Sequence, residues 1–160
     1  MKMPTSIRAV LAALFILSLN ACSGPPDSPE ARVEAFIHAA EEAAETRSLD
    51  FFKEHVAESY TDDHGLSKKE LLRMLAGYFF RNQSIHVVSK ITDLSIADDG
   101  YAEVVIFAAL AGSPEIGFEQ LAKLRADTYR IELSLLLGDD DIQIVRANWA
   151  RSTPAEAFNQ

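Results

Sequence analysis

From residue 28 the apolar positions recur with a helical period. Val33, Phe36, Ile37, Ala40 and Ala44 fall on one stripe, while Glu30, Glu34, Glu41, Glu42 and Glu45 lie mostly on other faces, as a solvated surface would. Ser28 supplies an N-cap, and Pro29 stands at the first helical position, where a missing N–H costs nothing. This helix is expected to end near Arg47. A second, short helix is predicted from about Leu49 to Val56, burying Phe52 and Val56. The period is lost over Glu58–Leu66, which reads as a polar loop. Ser67-Lys68-Lys69-Glu70 then spells a capping box. Leu71, Leu72, Met74, Leu75, Tyr78 and Phe79 give the third helix a broad apolar face.

After Asn82 the period changes to two. Ile85–Ile96, Tyr101–Leu110, Asp127–Leu137 and Ile142–Ala150 read as four strands. Asp98-Asp99-Gly100 and Gly138-Asp139-Asp140-Asp141 are short polar turns, so two of the connections are predicted to be hairpins. The longer link between them has room for a helical turn around Phe118–Leu124. In the last strand Ile142 and Ile144 are even but Ala147 and Trp149 are odd, which predicts a bulge near Val145–Arg146. The second strand is apolar on both faces, with Val104, Ile106, Ala108 and Leu110 set against Val105, Phe107 and Ala109. One face must pack on the helices; the other needs extra cover or a partner, and a homodimer through the sheet is one expectation.

The residues before 28 carry a different kind of information. Lys2 and Arg8 precede an apolar run from Ala9 to Leu19 interrupted only by Ser18. Eleven residues at about 1.5 Å each reach roughly 16 Å, short of a bilayer core of about 30 Å. The segment 1–21 is therefore read as a signal peptide. Leu19-Asn20-Ala21-Cys22 resembles the bacterial lipobox. That resemblance implies cleavage before Cys22, a diacylglyceryl thioether on its sulfur and a further acyl chain, such as palmitate, on the new amino group. Ser23 follows the cysteine where an aspartate signals inner-membrane retention in enteric-type bacteria. The expected location is thus the outer membrane, facing the periplasm, with the inner membrane or a Gram-positive cell surface as alternatives. Residues 22–27 form the lipidated tether, 28–152 the domain and 153–160 a C-terminal tail.

The chain has 160 residues, 48% of them apolar, with 15 basic against 24 acidic side chains and a net charge of -9. That length and apolar content suit one domain with a real core. The acidic balance argues against nucleic acid, whose phosphates require a basic stripe. A single cysteine excludes an intrachain disulfide and a Cys-cluster zinc site. Neither a phosphate-binding glycine loop nor a Gly-x-Ser-x-Gly elbow occurs, and no cofactor or metal is expected.

Three helices followed by a curved four-stranded antiparallel sheet make an α+β domain. Tyr60-Thr61-Asp62-Asp63-His64-Gly65, Tyr78-Phe79 and the pattern Ile142-x-Ile144-x-x-Ala147-x-Trp149 occur in an order that resembles the nuclear-transport-factor-2-like superfamily. The resemblance implies a cone whose sheet wraps a long helix. That superfamily includes isomerase-like and dehydratase-like enzymes as well as non-enzymatic binding domains, so fold alone does not select a function. Tyr60, Asp62 and His64 are the weak catalytic candidates; the bland alternative has Asp62 holding loop amides. Phe36, Tyr78, Tyr129 and Trp149 are candidate pocket-lining residues, and plain core is the competing account. His38 sits near the apolar stripe of the first helix, His55 ends the second and His86 lies on a strand, and most of the histidines read as surface or edge residues. The expected function is a non-catalytic, lipid-anchored domain that binds a small apolar ligand or a protein partner. The alternatives are a cofactor-free lyase or isomerase using Asp62 or His64 with Tyr60, and a structural envelope subunit that dimerises through the sheet.

Overall fold

A computed structural model describes residues 28–111 and 127–153. The expected signal peptide, Cys22 with its tether, the helical turn around Phe118–Leu124 and the tail beyond residue 153 lie outside the described residues. Helix α1 spans Pro29–Glu45, α2 Leu49–His55 and α3 Lys68–Arg81. Strand β1 spans Val56–Thr61, β2 His86–Ile96, β3 Tyr101–Ala111, β4 Asp127–Leu137 and β5 Ile142–Ser152. They form one sheet in the order β1-β5-β4-β3-β2. Three helices on a five-stranded sheet make a mixed α+β fold.

The helix ends follow their local chemistry. The Ser28 hydroxyl accepts the Ala31 amide at 3.1 Å, and Pro29 opens α1. Glu70 reaches back to the Ser67 amide at 2.9 Å and takes its hydroxyl at 2.6 Å, closing the capping box of α3. Arg47 leaves α1 in the left-handed region, at φ 58°. Its neighbours still satisfy the last turn, with the Ser48 amide bonded to the Ala43 carbonyl at 2.7 Å.

Two expectations are corrected here. The sheet has five strands, not four, because Val56–Thr61 is extended and pairs parallel with β5. Helix α2 accordingly ends at His55, and the buried Val56 belongs to the strand. The strand hides its period: its register with β5 shifts between Val56 and Thr61, so Glu58 and Ser59 both face solvent between the buried Val56, Ala57 and Tyr60. A bulged six-residue strand offers no run of alternation for the eye to find.

The remaining strands pair antiparallel. Across β4 and β5, Ser134 pairs with Arg146 and Leu135 with Ile144, which leaves Val145 as the extra residue that the change of phase predicts. The bulge lets Ile142, Ile144 and Ala147 all be buried on one face. A second bulge interrupts β2 between Ile91 and Asp93. Bulges bend and twist a strand, which turns a flat sheet into one that closes around its helices.

The core lies between helices and sheet. Val33, Phe36 and Ile37 of α1 meet Leu71 of α3, Val104 and Ile106 of β3, and Leu135 of β4. Arg32 donates to the Gly138 carbonyl at 2.5 Å and so ties the start of α1 to the β4–β5 turn. On the other face of β3, Phe107 and Ala109 are also buried, at 2% and 0% exposure. That stretch of the sheet is covered within the single chain.

Helix α1 also guards an edge. β2 is a terminal strand, and such strands carry backbone groups that a neighbouring chain can capture. Glu45 accepts the Val87 amide at 2.9 Å, and Glu41 accepts the Ser89 hydroxyl. The glutamate run is therefore not wholly a solvated face. At about 100° per residue Glu41 and Glu45 border the apolar stripe, whereas the exposed Glu42 lies opposite it.

Candidate functional site

The three helices do not fill the space over the sheet. A cavity of about 430 Å³ remains between α1, α3 and the inner faces of β2 to β5. Its origin is visible in the side chains. Ala40 and Ala44 stand where the α1 stripe crosses the cavity, and Ala108 and Ala147 face them from the sheet. Four methyl groups at positions where a core would place Leu or Phe leave the volume unclaimed. Larger residues frame it: Met74, Leu75 and Phe79 from α3, and Ile106, Ile131 and Leu133 from the strands. Met74 alone among the described lining residues is exposed, at 41%, and marks the side open to water.

Polar atoms in the described lining are few. Tyr78, Tyr129 and Trp149 carry a hydroxyl or an indole N–H, and Glu41 and Ser89 face each other across the α1–β2 seam. Glu41 is the one charged residue among them. Of the four aromatic candidates, then, three stand on the cavity wall. Phe36 does not. Its ring packs 5.7 Å from Phe51 and 5.3 Å from His55, deeper between α1 and α2.

Tyr60, Asp62 and His64 occupy a different place, outside this lining. Asp62 is 7% exposed. Its Oδ1 accepts the amides of His64 at 2.9 Å and Leu66 at 2.8 Å, and its Oδ2 accepts the Tyr60 hydroxyl at 3.3 Å. Burial, then the charge of Asp62, then that hydrogen bond push the Tyr60 phenol well above its ordinary range, so it stays protonated and donates. Asp63 adds an ion pair with Arg146, and its amide donates to Asn148 at 2.9 Å. Together these contacts pin the β1–α3 loop to β5. The His64 ring lies 5.0 Å from that of Trp149, which is where the loop comes nearest to the cavity wall.

The other histidines divide. His38 is exposed, and His86 lies 3.3 Å from the Ser84 hydroxyl. His55 is not a plain surface residue: its ring packs on Phe36 and Phe51, and its Nδ1 lies 3.0 Å from the Ile142 carbonyl. Among the described residues no three His, Cys, Asp or Glu side chains gather where they could hold a metal ion.

Glu41, Ser89 and the four alanines are the parts of the site that sequence reasoning missed. Their signal was present but faint: small residues at core positions, and a glutamate one turn from Ile37.

No family model and no curated protein matches the chain. Solved structures do. A domain of unknown function with a cystatin-like fold from Nostoc punctiforme is similar over 82% of this chain and 82% of its own, with TM-score 0.62 and 13% identity. An NTF-2 like protein of unknown function from Silicibacter pomeroyi is similar over 75% of this chain and 92% of its own, with TM-score 0.56 and 12% identity. Bd1075 of Bdellovibrio bacteriovorus gives TM-score 0.60 at 13% identity over 78% of this chain, which spans only 41% of Bd1075. At these identities the likeness is one of fold, and the fold is nuclear-transport-factor-2-like, or cystatin-like.

The role of Asp62 as a loop brace makes a definite prediction. Replacing it with Ala orphans two amides and a buried phenol, a loss of about 2–4 kcal/mol. Asp62→Asn keeps an acceptor for the amides and loses less. Urea unfolding midpoints check both variants, and an Asp62→Ala protein as stable as the parent contradicts the assignment.

Proposed function

We propose that this chain is a lipid-anchored, non-catalytic binding protein of the periplasmic face of the outer membrane, whose domain encloses a small apolar molecule. The cavity carries this reading. Its wall is almost wholly apolar, so a small apolar molecule seated there leaves water and gains contact with that wall, at about 25 cal/mol per Å² of apolar surface buried. The volume also lies in the range of small-molecule sites, about 300–1,000 Å³.

The lyase or isomerase alternative has weaker support. It needs Asp62 or His64 in the cavity with a free lone pair, and Asp62 instead spends its oxygens on the loop. The structural-subunit alternative needs a bare outer sheet face, whereas Phe107 and Ala109 are already buried. The anchor rests on the sequence Leu19-Asn20-Ala21-Cys22 following an apolar run too short to span a bilayer.

Two outcomes follow from this reading. A neutral apolar probe such as naphthylmethanol, present at about a hundred times its Kd, stabilises the protein by about 2.7 kcal/mol. That is a rise of several degrees in Tm in a thermal-shift assay. Ala108→Phe places a ring inside the cavity and diminishes the rise while the far-ultraviolet circular dichroism stays unchanged; a probe that stabilises both proteins equally binds elsewhere. For the anchor, Cys22→Ser releases the protein from the membrane fraction into the soluble periplasm, and persistent membrane retention contradicts lipidation.

A further inference from the structure

We infer that the cavity selects apolar molecules bearing a protonated amine, which Glu41 receives. This rests on the binding reading above and names the class of guest. Among the described lining residues Glu41 is the only charged group; no Lys, Arg or His stands with it. Its negative charge is therefore not balanced within that wall. It is half-buried, and it accepts one hydroxyl, that of Ser89. A carboxylate has about four acceptor positions, so capacity remains for a donor brought by a guest.

The chemistry of the guest follows from the wall. A cationic donor makes a charge-assisted hydrogen bond to Glu41, roughly twice as strong as a neutral one, in surroundings where apolar side chains reduce screening. Tyr78, Tyr129 and Trp149 line the same cavity, and aromatic faces attract cations. An anion of the same shape meets like charge at Glu41 and finds no cation among those residues. The net charge of -9 acts in the same sense at long range, favouring the approach of cations. Glu45, one turn further along α1, is not part of this device. It lies outside the described lining, where its carboxylate accepts the Val87 amide at the edge of β2.

Three probes of one apolar body test the inference: naphthylmethylamine, naphthylmethanol and naphthoic acid, titrated calorimetrically into the full chain at neutral pH. The amine binds about tenfold more tightly than the alcohol, and the acid binds most weakly. Glu41→Gln removes the preference for the amine over the alcohol. Glu45→Gln makes the same change of charge outside the cavity and leaves the preference intact, which separates a local contact from the protein's overall field.

Equal affinities for the three probes, or an amine preference that survives Glu41→Gln, overturn the inference. The ranking in the parent protein decides the matter even if Glu41→Gln does not fold. Should all three bind equally and Ala108→Phe still block them, the selectivity is wrong and the binding cavity stands. Should none bind, both fall together.

Discussion

Helix α1 meets the sheet in two ways at once, and the rest of the domain is arranged around that double contact. Val33, Phe36 and Ile37 press into the apolar inner face. Along the border of the same stripe, Glu41 and Glu45 take the Ser89 hydroxyl and the Val87 amide of β2. Burial supplies the driving force but does not fix where along the strand the helix sits. The directional contacts to β2 do, and the Arg32 contact to Gly138 fixes the other end. Because α1 is held at both ends, Ala40 and Ala44 in its C-terminal half cannot slide aside to let larger neighbours close over them.

The cavity is the consequence. A helix free to collapse toward the sheet would approach until side chains touched, and small residues would only bring it nearer. Here the edge contacts of α1 and the capping box and braced loop that set α3 hold the helices at a distance chosen by other residues. The Asp62 cluster belongs to this frame: it is polar and buried, and its satisfied hydrogen bonds position the start of α3 against β5. The aspartate that stands beside a histidine and a tyrosine braces the loop through those hydrogen bonds. The groups that face the cavity sit instead mostly on the three helices and the strands.

Much of this was legible in the sequence, and the failures have physical causes. Three helices and four long strands followed from periods of 3.6 and 2, and the bulge at Val145 followed from Ile142 and Ile144 falling out of phase with Ala147 and Trp149. The fifth strand did not. Its parallel partner lies more than eighty residues away, and its own bulge exposes Glu58 and Ser59 together, so nothing local marks it as extended. Tyr78, Tyr129 and Trp149 were recognisable as candidate lining because large aromatics sat on apolar faces. Phe36 satisfied the same criterion and packs elsewhere, since periodicity tells which face is buried but not what lies opposite. Glu41 was hardest to see: the same letter serves for a solvated helix face and for a carboxylate at a cavity wall, and only the position of β2 separates them. The alanines were invisible for a related reason. A small residue reads as tight packing or as a void depending on whether its surroundings are held apart.

Trp149 offers the most direct test of the central claim that a small apolar molecule occupies this cavity. It is the only tryptophan in the chain, and it stands on the cavity wall, so its fluorescence responds to a molecule bound there. Titration with a brominated aromatic alcohol, a heavy-atom quencher with an apolar body, is predicted to quench the emission saturably, with one molecule bound per chain. Quenching that rises linearly with concentration, as for free tryptophan in water, would contradict the account.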